Sequence, residues 1–143
     1  MIGIVLTGHA NFATGLLSSL KLIAGEPEKF VAVDFLENYS TEDLRKEYVK
    51  AIDTLDCEEI LFFTDLVGGT PFKTAVEYKF ESDKKIEVIS GTNLGMLIES
   101  SFSRFSSENI EEVIETALHV GREQVMKFEL KNDKKEEGVE DGI

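Results

Sequence analysis

Cysteine is nearly absent from this chain. A single thiol, Cys57, occurs in 143 residues, so no internal disulfide can form and a reducing compartment is the natural setting. Its place just before an apolar run marks it as a buried or semi-buried structural thiol. Tryptophan is missing altogether, and only two histidines, His9 and His119, are present. One Cys and two distant His offer neither the number nor the spacing of ligands that a zinc site needs. No apolar run reaches the length of a membrane span. The first residues lack a charged segment with a cleavage site, and Met1-Ile2-Gly3-Ile4-Val5-Leu6 reads at once as a strand. Basic charge is scarce: 15 Lys and Arg face 28 Asp and Glu, a net charge of −13. Like charge repels DNA and anionic bilayers, so neither is expected as a partner. Acid is missing from one end only: residues 1–25 hold no Asp or Glu and one Lys, Lys21. The expectation is one acidic, cytoplasmic domain, long enough to bury a sizeable core.

What is present alternates between strand and helix patterns. Ile2 to Leu6 is the first apolar run, ending at Thr7-Gly8-His9. Ala13, Leu16, Leu17, Leu20, Ile23 and Ala24 then fall on one helical face, stopped by Gly25 and Pro27. Phe30 to Phe35 reads as a second strand. Ser40 and Asp43 form a capping box before Leu44, Tyr48, Ile52 and Leu55. Ile60 to Phe63 is a third strand, followed by Thr64-Asp65 and the Gly68-Gly69 loop. Thr70 then Pro71 predicts a capped helix start. Ile86 to Ile89 is a fourth strand, ending at Ser90-Gly91-Thr92-Asn93, with a short helix over about 94–102. Ile110, Val113, Ile114, Ala117 and Leu118 mark a last helix, capped near Ser107. His119 lies beside its apolar face, where surface packing is its expected role. Met126, Phe128 and Leu130 alternate with Lys127, Glu129 and Lys131, as in a half-buried strand or helix tail. A domain over 1–130 and a polar, disordered tail over 131–143 are expected.

Near-continuous apolar strands alternating with helices predict an α/β fold with a mostly parallel, doubly wound sheet. Sites in such folds lie beyond the carboxyl ends of the strands. Three of those ends carry distinctive residues. His9 follows strand one, and a neutral imidazole is a nucleophile well populated near neutral pH. Asp65 ends strand three, the expected neighbour of strand one. A carboxylate that takes one ring N–H fixes the tautomer and leaves the other nitrogen free to attack. Amides after Gly8 and at Gly68-Gly69, with the Thr70 hydroxyl, would hold an anion such as a phosphoryl group. Taken singly, each feature has an ordinary explanation as a turn, a cap or a loop residue. Their convergence on one sheet edge suits a phosphohistidine. Neither a Walker A sequence nor a dinucleotide glycine pattern is present. A receiver domain would need carboxylates after strand one, and none occurs before Glu26.

These residues carry a resemblance over about 1–130. Gly3 to His9, Phe62 to Phe72 and Val88 to Glu99, with a weaker element at Gly121-Arg122-Glu123, resemble the IIA component of the mannose family of the bacterial phosphoenolpyruvate:sugar phosphotransferase system. The resemblance implies a flavodoxin-like fold and a phosphoryl relay without metal or organic cofactor. His9 matches the phosphorylated residue, Asp65 the carboxylate that orients it, and Thr70 a Ser/Thr beside the phosphoryl group. Phospho-HPr is the implied donor and a IIB component the acceptor, with the membrane components IIC and IID engaged indirectly. A homodimer that exchanges a C-terminal strand is also implied, and the alternation up to Lys131 is the expected strand.

The sequence departs from the family pattern in places. Gly95 stands where many members have Pro, and Ala10 follows the histidine where Gly is common. No fused IIB domain follows in the chain, so a separate IIB protein is expected. Overall likeness, with Glu140 to Ile143 part of it, leans toward the N-acetylgalactosamine and amino-sugar branch. The competing readings are the phosphoryl-donor subunit of a dihydroxyacetone kinase and a non-catalytic regulatory module with His9 unused.

Overall fold

The computed structural model describes residues 1–130. The tail expected over 131–143 therefore lies outside the described residues. The elements run β1 (Ile2–His9), α1 (Phe12–Ala24), β2 (Phe30–Phe35), α2 (Thr41–Leu55), β3 (Glu59–Thr64), α3 (Thr70–Glu81), β4 (Lys85–Ile89), α4 (Leu94–Ser103) and α5 (Ile110–Glu123). All strand pairings are parallel, in the order β2-β1-β3-β4. This is the flavodoxin-like order, whose switch point lies between β1 and β3.

Strand alternation builds two cores. Ile4 and Leu6 of β1, with Leu61 and Phe63 of β3, face α1, α4 and α5. Val5, Ile60, Phe62 and Ile86 face α2 and α3, where Leu44, Tyr48, Ile52 and Leu55 cover them. The side-chain period of two places Thr7 and His9 on this second side of β1. Cys57 is buried at its base, and its thiol donates to the Leu55 carbonyl. No helix among the described residues is long and apolar enough to cross a membrane.

The helix ends explain most boundaries, with several shifts from expectation. Ser40 and Asp43 do form the reciprocal capping box of α2. The N-cap of α3 is Gly69 rather than Thr70, so Thr70 and Pro71 are its first two helical residues. The N-cap of α5 is Asn109, not Ser107; its side chain accepts the Glu112 N–H. Asn93 caps α4 in the same way and also donates to the Gly121 carbonyl of α5. Strand β1 runs on through Thr7 and Gly8 to His9, because Thr7 pairs with Thr64 and Gly8 with Asp34. His9 therefore stands on a strand, not at a helix start. Ala10 then turns the chain at φ +50°, with its N–H on the Phe35 carbonyl at 2.8 Å. A left-handed non-glycine residue costs about 1–2 kcal/mol, so Ala10 pays for the turn that glycine would make freely. Residues 125–130 form no strand in the single chain, and Val125, Met126, Phe128 and Leu130 are exposed.

At the opposite end of the sheet, Arg104 closes the core. It is buried, and its guanidinium donates to the carbonyls of Ile2, Glu28, Lys29 and Ser101.

Candidate active site

His9 ends β1 and Asp65 follows β3, the two central strands on either side of the switch point. Asp65 Oδ2 lies 2.8 Å from His9 Nδ1 and 2.8 Å from the His9 backbone N–H. Oδ1 accepts the Leu66 N–H at 2.7 Å. The carboxylate is thus fixed by two backbone donors before it meets the ring. Its side chain is 13% exposed and that of His9 46%, so the acid is sheltered and the imidazole faces outward. Partial burial pushes the Asp65 carboxyl up. The His9 amide, the His9 ring and the Leu66 amide outweigh that and hold it below its ordinary value. An ionised Asp65 accepts a proton-bearing Nδ1, which leaves the lone pair on Nε2.

Of the rest of the ring, one side is covered and one edge is left open. Phe35 meets it edge-on, with centroids 5.9 Å apart. A side chain at Gly69 would come within 2.9 Å of His9 Cε1 and 3.5 Å of Nε2. Gly69 therefore keeps the outward edge of the imidazole open. Gly68 adopts φ +79°, a turn that only glycine makes without strain. Thr70 follows at the first helical position of α3, half-buried. Gly8, expected among the anion-holding residues, lies inside β1; a side chain there would run into the Phe12 ring and come within 2.9 Å of Asp65 Cγ. Its role is to let the carboxylate approach. The start of α1, also expected to offer amides, already holds a carboxylate: Asp34 takes the Thr14 N–H at 3.0 Å and its hydroxyl at 2.7 Å. The helix start left beside His9 is that of α3.

The third sequence motif supports the second. Thr92 donates its N–H and its hydroxyl to the Thr64 carbonyl, and the Gly91 N–H reaches the Asp65 carbonyl at 3.2 Å. Thr92 belongs to the third strand end that the sequence singles out, but Asp34 and Phe35 are not legible as site residues, because each acts from another element through contacts that no local spacing encodes. The expected bland roles of His119 and Cys57 agree with their places: His119 is exposed on α5 and Cys57 buried.

Fold and site together define a flavodoxin-like α/β domain with a carboxylate-held histidine at the switch point. The family model EIIA-man, described as PTS system fructose IIA component, matches residues 3–118. The chain is 33% identical over 100 residues to the PTS system fructose-specific EIIA component of Bacillus subtilis, covering 69% of this chain and 68% of that protein. It is 31% identical over 131 residues to the PTS system mannose-specific EIIAB component of Escherichia coli, covering 91% of this chain but only 40% of the longer relative. Among solved structures, the phosphotransferase system component EIIA of Streptococcus agalactiae superimposes with a TM-score of 0.84 at 39% identity, covering 89% of this chain and 97% of that one. The mannose/sorbose specific IIA subunit of Enterococcus faecalis gives 0.80 at 25% identity, covering 92% and 98%. The chain belongs to the mannose family of IIA components of the sugar phosphotransferase system, and is a phosphotransfer protein. Glu140 to Ile143, part of the lean toward an amino-sugar branch, lie outside the described residues.

Proposed function

We propose that the chain is a cytoplasmic phosphocarrier that accepts a phosphoryl group from phospho-HPr on His9 and passes it to a IIB component. IIC and IID then couple the transfer to sugar uptake. The observation that carries this reading is the 2.8 Å contact between Asp65 Oδ2 and His9 Nδ1. It leaves Nε2 as the nucleophile. The Nε2 lone pair attacks phosphorus, the P–N bond of the donor phosphohistidine breaks, and that electron pair returns to the donor imidazole. Positive charge grows on the His9 ring as the new P–N bond forms, and Asp65 stabilises it. The Thr70 hydroxyl, the Gly68-Gly69 loop and the start of α3 face the phosphoryl oxygens, where partial positive charge favours an anion. Transfer to IIB runs the same steps in reverse order, with an acceptor side chain as nucleophile. The histidine–carboxylate pair argues against a module with His9 unused.

The local charge suits this task. Residues 7–17 and 89–98 carry no formal charge, and residues 64–76 hold only Asp65 and Lys73. A surface whose carboxylates are each engaged, Asp65 by His9 and Asp34 by Thr14, admits a dianion that a cluster of free acids would repel. The acid elsewhere steers a partner with basic surroundings. Incubation with radiolabelled phosphoenolpyruvate, enzyme I and HPr should put acid-labile label on the wild type and none on His9→Ala. Adding IIB should drain it. Equal labelling of His9→Ala overturns the assignment.

The reading includes a homodimer formed by exchange of the segment that leads to Lys131. Support comes from the open edge of β4, where a groove of about 560 Å³ is lined by Val88, Ile89, Met96, Leu118 and Val125. The exposed Met126, Phe128 and Leu130 alternate as a strand covering such an edge would. In solution the full chain should be a dimer and a chain ending before Gln124 a monomer. A monomeric full chain sinks the exchange.

A further inference from the structure

Tyr48 occupies an apolar position of α2 and is fully buried. Its ring packs edge-on against Phe62 of β3 at 5.0 Å, a contact that a phenylalanine would also make. The hydroxyl is what a phenylalanine lacks. It donates to the Pro71 carbonyl at 2.9 Å, and its oxygen lies 3.0 Å from Thr7 Oγ1. A carbonyl can only accept, so the single phenolic proton goes to Pro71 and the Thr7 hydroxyl donates to Tyr48. Thr7 stands two residues before His9 on the same side of β1. Pro71 follows Thr70 in the first turn of α3. One hydroxyl thus ties the strand that carries the histidine to the helix start beside it.

That helix start has few other ties. The residues that α3 buries are Pro71, Thr74 and Ala75, all small. Its N-cap, Gly69, supplies no side-chain hydrogen bond, and Gly68 before it makes the loop permissive. Burial, with the Asp65 charge adding to it, pushes the Tyr48 phenol up, so it stays protonated across the working range of pH. A misplacement of about 1 Å between reacting groups can cost on the order of 10²-fold in rate, so the spacing of β1 and α3 matters to transfer.

We propose that Tyr48 is a positioning residue for phosphoryl transfer: through Thr7 and Pro71 its hydroxyl sets the spacing between His9 and the start of α3. This rests on His9 being the phosphoryl acceptor. The test uses the full chain as wild type, Tyr48→Phe and the double variant Thr7→Val/Tyr48→Phe. Initial rates of His9 labelling are measured against phospho-HPr concentration, and stability by urea midpoint. Tyr48→Phe should lower kcat about tenfold or more, with KM for phospho-HPr within about twofold. The double variant removes the hydroxyl left without a partner, so its urea midpoint should recover while its kcat stays low. Wild-type kcat in Tyr48→Phe, or recovery of rate and midpoint together, overturns the role. If Tyr48→Phe does not fold, the double variant decides alone: low kcat supports the role and wild-type kcat overturns it. Absence of label on the wild type overturns the phosphocarrier reading itself, and the role of Tyr48 with it.

Discussion

Asp65→Ala should slow phosphoryl uptake on His9 by about 10²–10⁴-fold while the protein stays folded. Three contributions disappear at once. The proton is no longer held on Nδ1, so a share of the rings presents the wrong tautomer at the outward edge. The positive charge that builds on the ring during attack loses its counter-charge. The N–H groups of His9 and Leu66 lose their acceptor. The last loss is mild, because the rim is open to water, and about 1 kcal/mol of stability covers it. Asp65→Asn should fall between alanine and wild type. Three donors converge on the two carboxylate oxygens, so an amide must turn its own NH₂ toward one of them. The acid limb of unfolding gives a separate check. The folded carboxyl titrates below its ordinary 3.8, so its stabilisation is fully present above about that pH and is lost as pH falls through the lower, folded value. The gap between wild type and Asp65→Ala should be constant near neutrality and close in strong acid. A normal labelling rate for Asp65→Ala removes its assigned role.

Arg104→Met should cost about 1–3 kcal/mol for each carbonyl left unsatisfied, read from the urea midpoint. Replacing a buried ion pair by apolar residues is often harmless, because both charges leave together. Here the partners of the guanidinium are the backbone carbonyls of Ile2, Glu28, Lys29 and Ser101, which no substitution removes. Methionine fills the volume and removes their donor, although the Lys29 carbonyl keeps a backbone partner, the Ile4 N–H at 3.0 Å. Lysine is no remedy, since one ammonium cannot span a set that a planar fork of donors reaches. Burial lowers the Arg104 pKa to about 10, and the side chain also lies over the Phe105 ring at 5.1 Å. The position is at the far end of the sheet from His9, so the fraction that remains folded should take label at the ordinary rate. A small shift in midpoint would show that water reaches those carbonyls in the folded state.

The parallel sheet and its helices were legible because burial on both faces writes continuous apolar runs, and because Ser40, Pro71 and the glycines punctuate them. His9 and Asp65 were legible from one rule, that sites gather at the carboxyl ends of central strands. Thr7 and Gly8 look like loop residues, which sets the expected end of β1 before His9. Their strand character comes from backbone pairing with Thr64 and Asp34, which leaves no mark on side-chain chemistry. Arg104 carries no local mark of its role, since the carbonyls of Ile2, Glu28 and Lys29 arrive from distant segments. Tyr48 was assigned to the buried face of α2 correctly, but its hydroxyl has partners 41 and 23 residues away. Asp34 caps α1 from β2, a cap that reading along the helix does not find.

His9 precedes its carboxylate by 56 residues, and the carbonyls of Thr64 and Asp65 are in turn held by Thr92 and Gly91. In chain order His9 therefore leaves the ribosome ahead of every group that holds it. A nascent chain that has exposed His9 has no competent acceptor until the β1–β3 ladder closes and the loop after β4 locks behind it. Label uptake would then time the completion of the domain during synthesis or refolding, where helix content, gained locally and early, would not.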